Sequence, residues 1–92
     1  MNNTPRAARH LPWTGPEGKP CYLLTDGTGP LSRIADTIET AQLDMAAQLL
    51  RHAADLLDDP RSTPDQLRYT LTCMHAALTD VHRIAENRLA AR

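Results

Sequence analysis

Asp58-Asp59-Pro60-Arg61-Ser62-Thr63-Pro64-Asp65-Gln66 holds the end of one helix, a short corner and the start of another. Pro60 disfavours helical geometry in the residue before it, so a helix arriving from the N-terminal side stops near Asp59. Thr63 then stands as an N-cap, with Pro64 at the first helical position, Asp65 at the second and Gln66 at the third. That is the capping-box order, and its acidic residue suits the positive end of a helix dipole. Only Pro60-Arg61-Ser62 separates the two signals, and a corner that short requires antiparallel helices.

Both directions from the corner carry helical periodicity. Upstream, helix 1 runs from about Pro30 to Asp59. At 100° per residue, Leu31, Ile34, Ile38, Met45, Leu49, Leu50, Leu56 and Leu57 fall on one half of the wheel, with Arg33, Thr40, Asp44, Arg51 and Asp58 on the other. That arc is wider than one partner helix needs, so helix 1 is expected to touch two neighbours. Gln42, near the centre of the arc, is expected to make a buried, register-fixing hydrogen bond. Downstream, helix 2 covers about 64–90. Leu67, Leu71, Met74, Leu78, Val81 and Ala85 repeat in steps of four and three, a heptad seam expected to pack on helix 1.

The remaining third of the chain is different. Residues 1–12 are polar and basic and are expected to be a disordered tail. Residues 13–29 are rich in Gly and Pro, and Cys21-Tyr22-Leu23-Leu24-Thr25 is the one run with strand character. An extended arm or small β-hairpin follows, anchored on the helices by Trp13, Tyr22 and Leu24, because two strands alone are marginal in water. The fold class is therefore mainly α: an antiparallel helical hairpin over 30–92 with an N-terminal arm. The surplus apolar arc predicts a homodimer in which two hairpins make a four-helix bundle.

Composition narrows the function. Among 92 residues there is no Phe, one Trp and two Tyr, so the core rests on Leu, Ile, Met and Ala. Net charge is −1, distributed as +1 over 1–30, −4 over 31–60 and +2 over 61–92. An acidic helix beside a basic one points to mutual attraction rather than to an extended polyanion surface. Cys21 and Cys73 are too few for a disulfide scaffold and fit no zinc spacing. No stretch is long and apolar enough to span a membrane, and no signal-peptide core opens the chain. The expected location is the cytoplasm. Nine Arg against one Lys suggest a GC-rich host genome.

The short motifs favour their structural readings. Leu11-Pro12-Trp13-Thr14-Gly15 spells the sortase signal, but that signal belongs near a C-terminus before an apolar segment. Trp13-Thr14-Gly15 also matches the Trp-x-Gly of small secreted helical hairpins, where it sits in the corner rather than upstream. Asp26-Gly27-Thr28-Gly29 reads as a turn and helix cap; it lacks the length and the Lys-Ser/Thr of a phosphate-binding loop. His10, His52, His75 and His82 do not converge, and His82 with Glu86 has the spacing of a surface pair. No catalytic set, cofactor site or metal site is expected.

The stretch PWTGPEGKPCYLLTDGTGPLSRIAD (12–36), with VHRIAENR (81–88), resembles small uncharacterised helical-hairpin proteins of streptomycete-type actinobacteria. The resemblance implies an actinobacterial host and a cytoplasmic place, and it carries no activity.

The expected function is a non-enzymatic protein–protein interaction module, a small adaptor or regulator acting through helical packing. Its assembly core is expected at Ile38, Met45, Leu49, Leu56, Leu67, Leu71, Met74, Leu78 and Val81, and its partner surface at Trp13, Tyr22, Leu50 and Leu57. A protein partner is expected, and neither a membrane nor a nucleic acid is favoured. One alternative is an accessory nucleic-acid binder using Arg68, Arg83 and Arg92 on helix 2. Another is a small-molecule sensor with a pocket beneath the arm, where Trp13 and Cys21 would meet helix 1.

Overall fold

A computed structural model describes residues 7–91. The protein is mainly helical, with a small two-stranded antiparallel β-hairpin at the N-terminal side of a long helical hairpin. Strand β1 covers Ala7–Thr14 and β2 covers Pro20–Thr25; helix α1 covers Pro30–Asp58 and α2 covers Pro64–Ala90. The molecule measures 63 × 28 × 19 Å.

The corner is built as its sequence dictates. Gln66 N–H donates to Thr63 Oγ1 at 3.1 Å, and Thr63 N–H donates to Gln66 Oε1 at 2.9 Å, a complete capping box. Ser62 Oγ donates to the Leu56 carbonyl at 2.7 Å, satisfying one of the last acceptors of α1. Asp59 Oδ1 accepts from Arg61 N–H at 2.9 Å and fixes the bend.

Strand β1 begins at Ala7, inside the stretch whose composition suggests a disordered tail; the part of that stretch before Ala7 lies outside the described residues. Its register pairs Ala7 with Thr25, Arg9 with Leu23 and His10 with Tyr22, then breaks before Thr14 pairs with Pro20. The break carries Leu11, which is 5% exposed. A single 3-10 turn at Pro16–Gly18 joins the strands, with Glu17 and Gly18 at φ 61° and 73°. Only Gly18 tolerates that conformation without cost.

The seam between the helices is not the one the leucines suggest. Along α1 the inward row is Ser32, Ala35, Glu39, Gln42, Ala46, Leu49, Ala53 and Leu56, all buried or half-buried. Along α2 it is Thr70, Met74, Ala77, Val81 and Ile84, flanked by half-buried Cys73, Asp80 and Asn87. Small side chains dominate, which lets the two backbones approach closely. Leu67, Leu71 and Leu78, expected in the seam, are 44%, 68% and 68% exposed. They occupy the neighbouring stripe, rotated by roughly one residue.

Burial is uneven along the hairpin. The buried apolar residues Leu11, Ala35 and Ile84 all lie at the open end, where β1 bridges the helices. Among the described residues the half near the corner is two helices and nothing more, with Thr70 its one buried residue.

Candidate interaction surface

A heptad repeat leaves identifiable positions beside its seam. On α1, Leu43, Leu50 and Leu57 each follow a seam residue (Gln42, Leu49, Leu56). On α2, Leu71, Leu78 and Ala85 each follow one as well (Thr70, Ala77, Ile84). In an antiparallel pair, the residue following such a seam position lies on the same side of both helices. These two rows therefore form one face of the hairpin, with Leu67, Met74 and Val81 along its inner edge. Leu50 is 65% exposed and Leu57 81%, with Leu71 and Leu78 as given above. Large apolar side chains this exposed and in register make this face the candidate contact surface.

The expected assembly residues divide by position. Leu49, Leu56, Met74 and Val81 sit half-buried in the hairpin's own seam, and Ile38 is half-buried beside it. Met45 is 61% exposed on the side of the hairpin away from Leu50. The expected partner residues Leu50 and Leu57 lie on the apolar face. Trp13 and Tyr22 lie on the β-hairpin and do not join them. Trp13 is half-buried; Tyr22 is 62% exposed, its ring stacked on His10 at 4.9 Å. Tyr22 and Leu24 do not anchor the arm, since both face outward. Leu11 and Arg9 do so instead.

Arg9 is the polar pin of the open end. Its guanidinium donates to Asp36 Oδ1 at 2.8 Å, to Glu39 Oε1 at 3.0 Å and to the Ser32 carbonyl at 3.3 Å. Burial by itself would lower the Arg9 pKa, but the hydrogen bonds and charges of Asp36 and Glu39 outweigh it and raise the value. Asn87 clamps the same strand to α2: its Oδ1 accepts from His10 N–H and its Nδ2 donates to the His10 carbonyl, both at 2.8 Å. Composition gave no sign of these contacts, because Arg9 and His10 read as tail residues.

A cavity of about 460 Å³ lies at this end, lined by Arg9, Asp26, Asp36, Glu39, Asn87 and Arg88 among others. Trp13 and Cys21, the residues expected beneath the arm, are not part of it. Cys21 instead sits across the β-hairpin loop from Gly15, where an added Cβ would come within 3.6 Å of its Sγ. Both cysteines are free.

The arginines of α2 do not form one outward row. Arg83 is half-buried, donating from Nη2 to Gln42 Oε1 at 2.6 Å and from Nη1 to Asp80 at 3.2 Å. Gln42 thus accepts a part-buried hydrogen bond across the two helices, where its place on the wheel led to the expectation of a buried one. Arg92 lies outside the described residues. His82 and Glu86 pair at 3.5 Å on an exposed surface. Asp26 Oδ1 accepts from Thr28 N–H and Oγ1, and Gly29 caps α1, so Asp26-Gly27-Thr28-Gly29 is a turn leading into a helix. Among the described residues no group of His, Cys, Asp and Glu is placed to hold a metal ion, and no helix is long and apolar enough to cross a membrane. Comparison with protein-family models, with curated proteins and with solved structures gave no match.

Proposed function

We propose that the chain is a non-enzymatic protein–protein interaction module, a small adaptor or regulator that works by helical packing. Its corner-proximal half receives a second pair of helices, and the product is a four-helix bundle. The observation that carries this reading is the face made by Leu50, Leu57, Leu67, Leu71 and Leu78. It gathers five exposed leucines, and it lies where the described residues give the hairpin no third layer.

The free thiols of Cys21 and Cys73 favour a reducing compartment, and the cytoplasm is the proposed place of action. The two other readings have less to stand on. The cavity under the arm offers a sensor site, but Arg9 in its lining is already engaged by Asp36 Oδ1 and Glu39 Oε1, leaving Glu39 Oε2 as its one buried oxygen without a hydrogen-bond partner among the described residues. A nucleic-acid surface on α2 loses Arg83 to Gln42 and Asp80.

Photo-crosslinking in cells of the native host tests the module directly. A benzophenone side chain at position 50 or 71 should give discrete higher-mass adducts, while one at Thr37 or Gln48, off this face, should give none. Absence of adducts from 50, 57, 71 and 78 alike would overturn the proposal.

A further inference from the structure

We propose that the occupant of this face is a second copy of the chain, related by a two-fold axis parallel to the helices, so that both corners lie at the same end. The proposal rests on the interaction reading above and names its partner.

Three observations select a second copy and fix its direction. The first is area. The chain exposes 7281 Å², whereas a compact monomer of 10.2 kDa exposes about 5,300 Å². The excess is well over ~1,000 Å², and a stable interface needs about 800 Å² from each partner.

The second is the distribution of leucines. The rows, half-buried Leu43 to exposed Leu57 on α1 and exposed Leu67 to Leu78 on α2, flank the corner. Corners placed together overlap the rows along their whole length. The Gln42–Arg83 hydrogen bond shows which residues of α1 and α2 lie level across one hairpin. Carried to the facing copy, the same levels set α1 antiparallel to the other copy's α2. Leu57 then meets the second copy's Leu67, Leu50 meets its Leu71 and Met74, and Leu43 meets its Leu78 and Val81.

The third is charge. The outer rim beside the α1 row is Thr40, Ala47 and Ala54, without charge; the outer rim beside the α2 row carries Arg68, His75 and His82. A two-fold axis along the helices places each α1 rim over the other copy's α2 rim, so the basic row meets a neutral one. The opposite arrangement, with corners at opposite ends, lays α1 on α1. It also lays α2 on α2, setting Arg68, His75 and His82 against the same basic row of the other copy. Such contacts are disfavoured and select against that orientation.

Sedimentation equilibrium over roughly 1–100 µM tests the partner. The wild-type chain should be a dimer, and Leu50→Glu should raise the dimer Kd by about 100-fold or more while keeping its helical circular dichroism. Direction is read by disulfide trapping in a Cys21→Ser, Cys73→Ser background. A mixture of the Leu57→Cys and Leu67→Cys chains should cross-link to each other, and the Leu50→Cys chain should not cross-link to itself. Ready Leu50→Cys self-linking would overturn the orientation. A wild-type monomer throughout the range, with photo-crosslinks from position 50 to a different protein, would overturn the second copy while leaving the interaction module intact.

Discussion

At the scale of single residues, Arg9 and its two carboxylates are not equivalent partners. The Asp36 side chain is 61% exposed, so its ion pair is screened and contributes little. The Glu39 side chain is 11% exposed, and its charge depends on Arg9 for compensation. Removing Arg9 leaves a buried carboxylate without its cation, a defect that costs several kcal/mol when complete. Arg9→Met should therefore destabilise the fold by about 2–3 kcal/mol in urea unfolding, while Asp36→Asn should change it by less than about 0.5 kcal/mol. Equal effects would show that the two pairs share the same environment. None of this was legible beforehand. Arg9 sits between Pro5 and Pro12 in a polar run, and only contacts to residues 23 to 30 positions away make it structural.

At the scale of elements, the helices and their corner were legible because their signals are local. A proline before a Thr-Pro-Asp-Gln cap acts within one turn of chain, and the structure places the helix ends where those residues put them. Thr63→Ala removes the side chain that accepts from Gln66 N–H, and it should lower stability by about 1 kcal/mol, measured by thermal or urea unfolding. An unchanged midpoint would mean that the corner is held by Ser62 and Asp59 alone. The choice of seam was not legible. Two heptad stripes lie side by side on α2, and hydrophobicity favours the leucine-rich one. The hairpin uses the neighbouring stripe of Thr70, Ala77 and Ile84, because β1 must fit between the helices at one end and small residues must meet at the other. A hydrophobic pattern gives the period of a helix more securely than the face that meets a given neighbour. Strand β1 was hidden for a related reason: its stability comes from Asn87 and from the Arg9 cluster, not from β-forming side chains.

At the scale of the whole molecule, the dimensions and the burial lead to one conclusion. The radius of gyration is 16.9 Å, against about 12 Å for a compact chain of this length. Among the described residues the buried apolar side chains gather at the open end, and a bare helical pair projects from it. Such a pair gains too little burial to be rigid alone, so much of its stability is expected to come from association. Thermal unfolding gives the sign. If two chains unfold together, each tenfold rise in concentration should raise the midpoint by roughly 3–5 °C, because association contributes about 1.4 kcal/mol per decade and the unfolding entropy is that of both chains. Leu78→Glu sharpens the test. On a monomer this exposed helical site would shift stability by no more than about 0.5 kcal/mol in either direction. Across a packed interface the same change buries a charge and should remove the concentration dependence altogether. A midpoint that is independent of concentration and indifferent to Leu78→Glu would return the face to solvent, and the hairpin would then have to be stable on its small-residue seam alone.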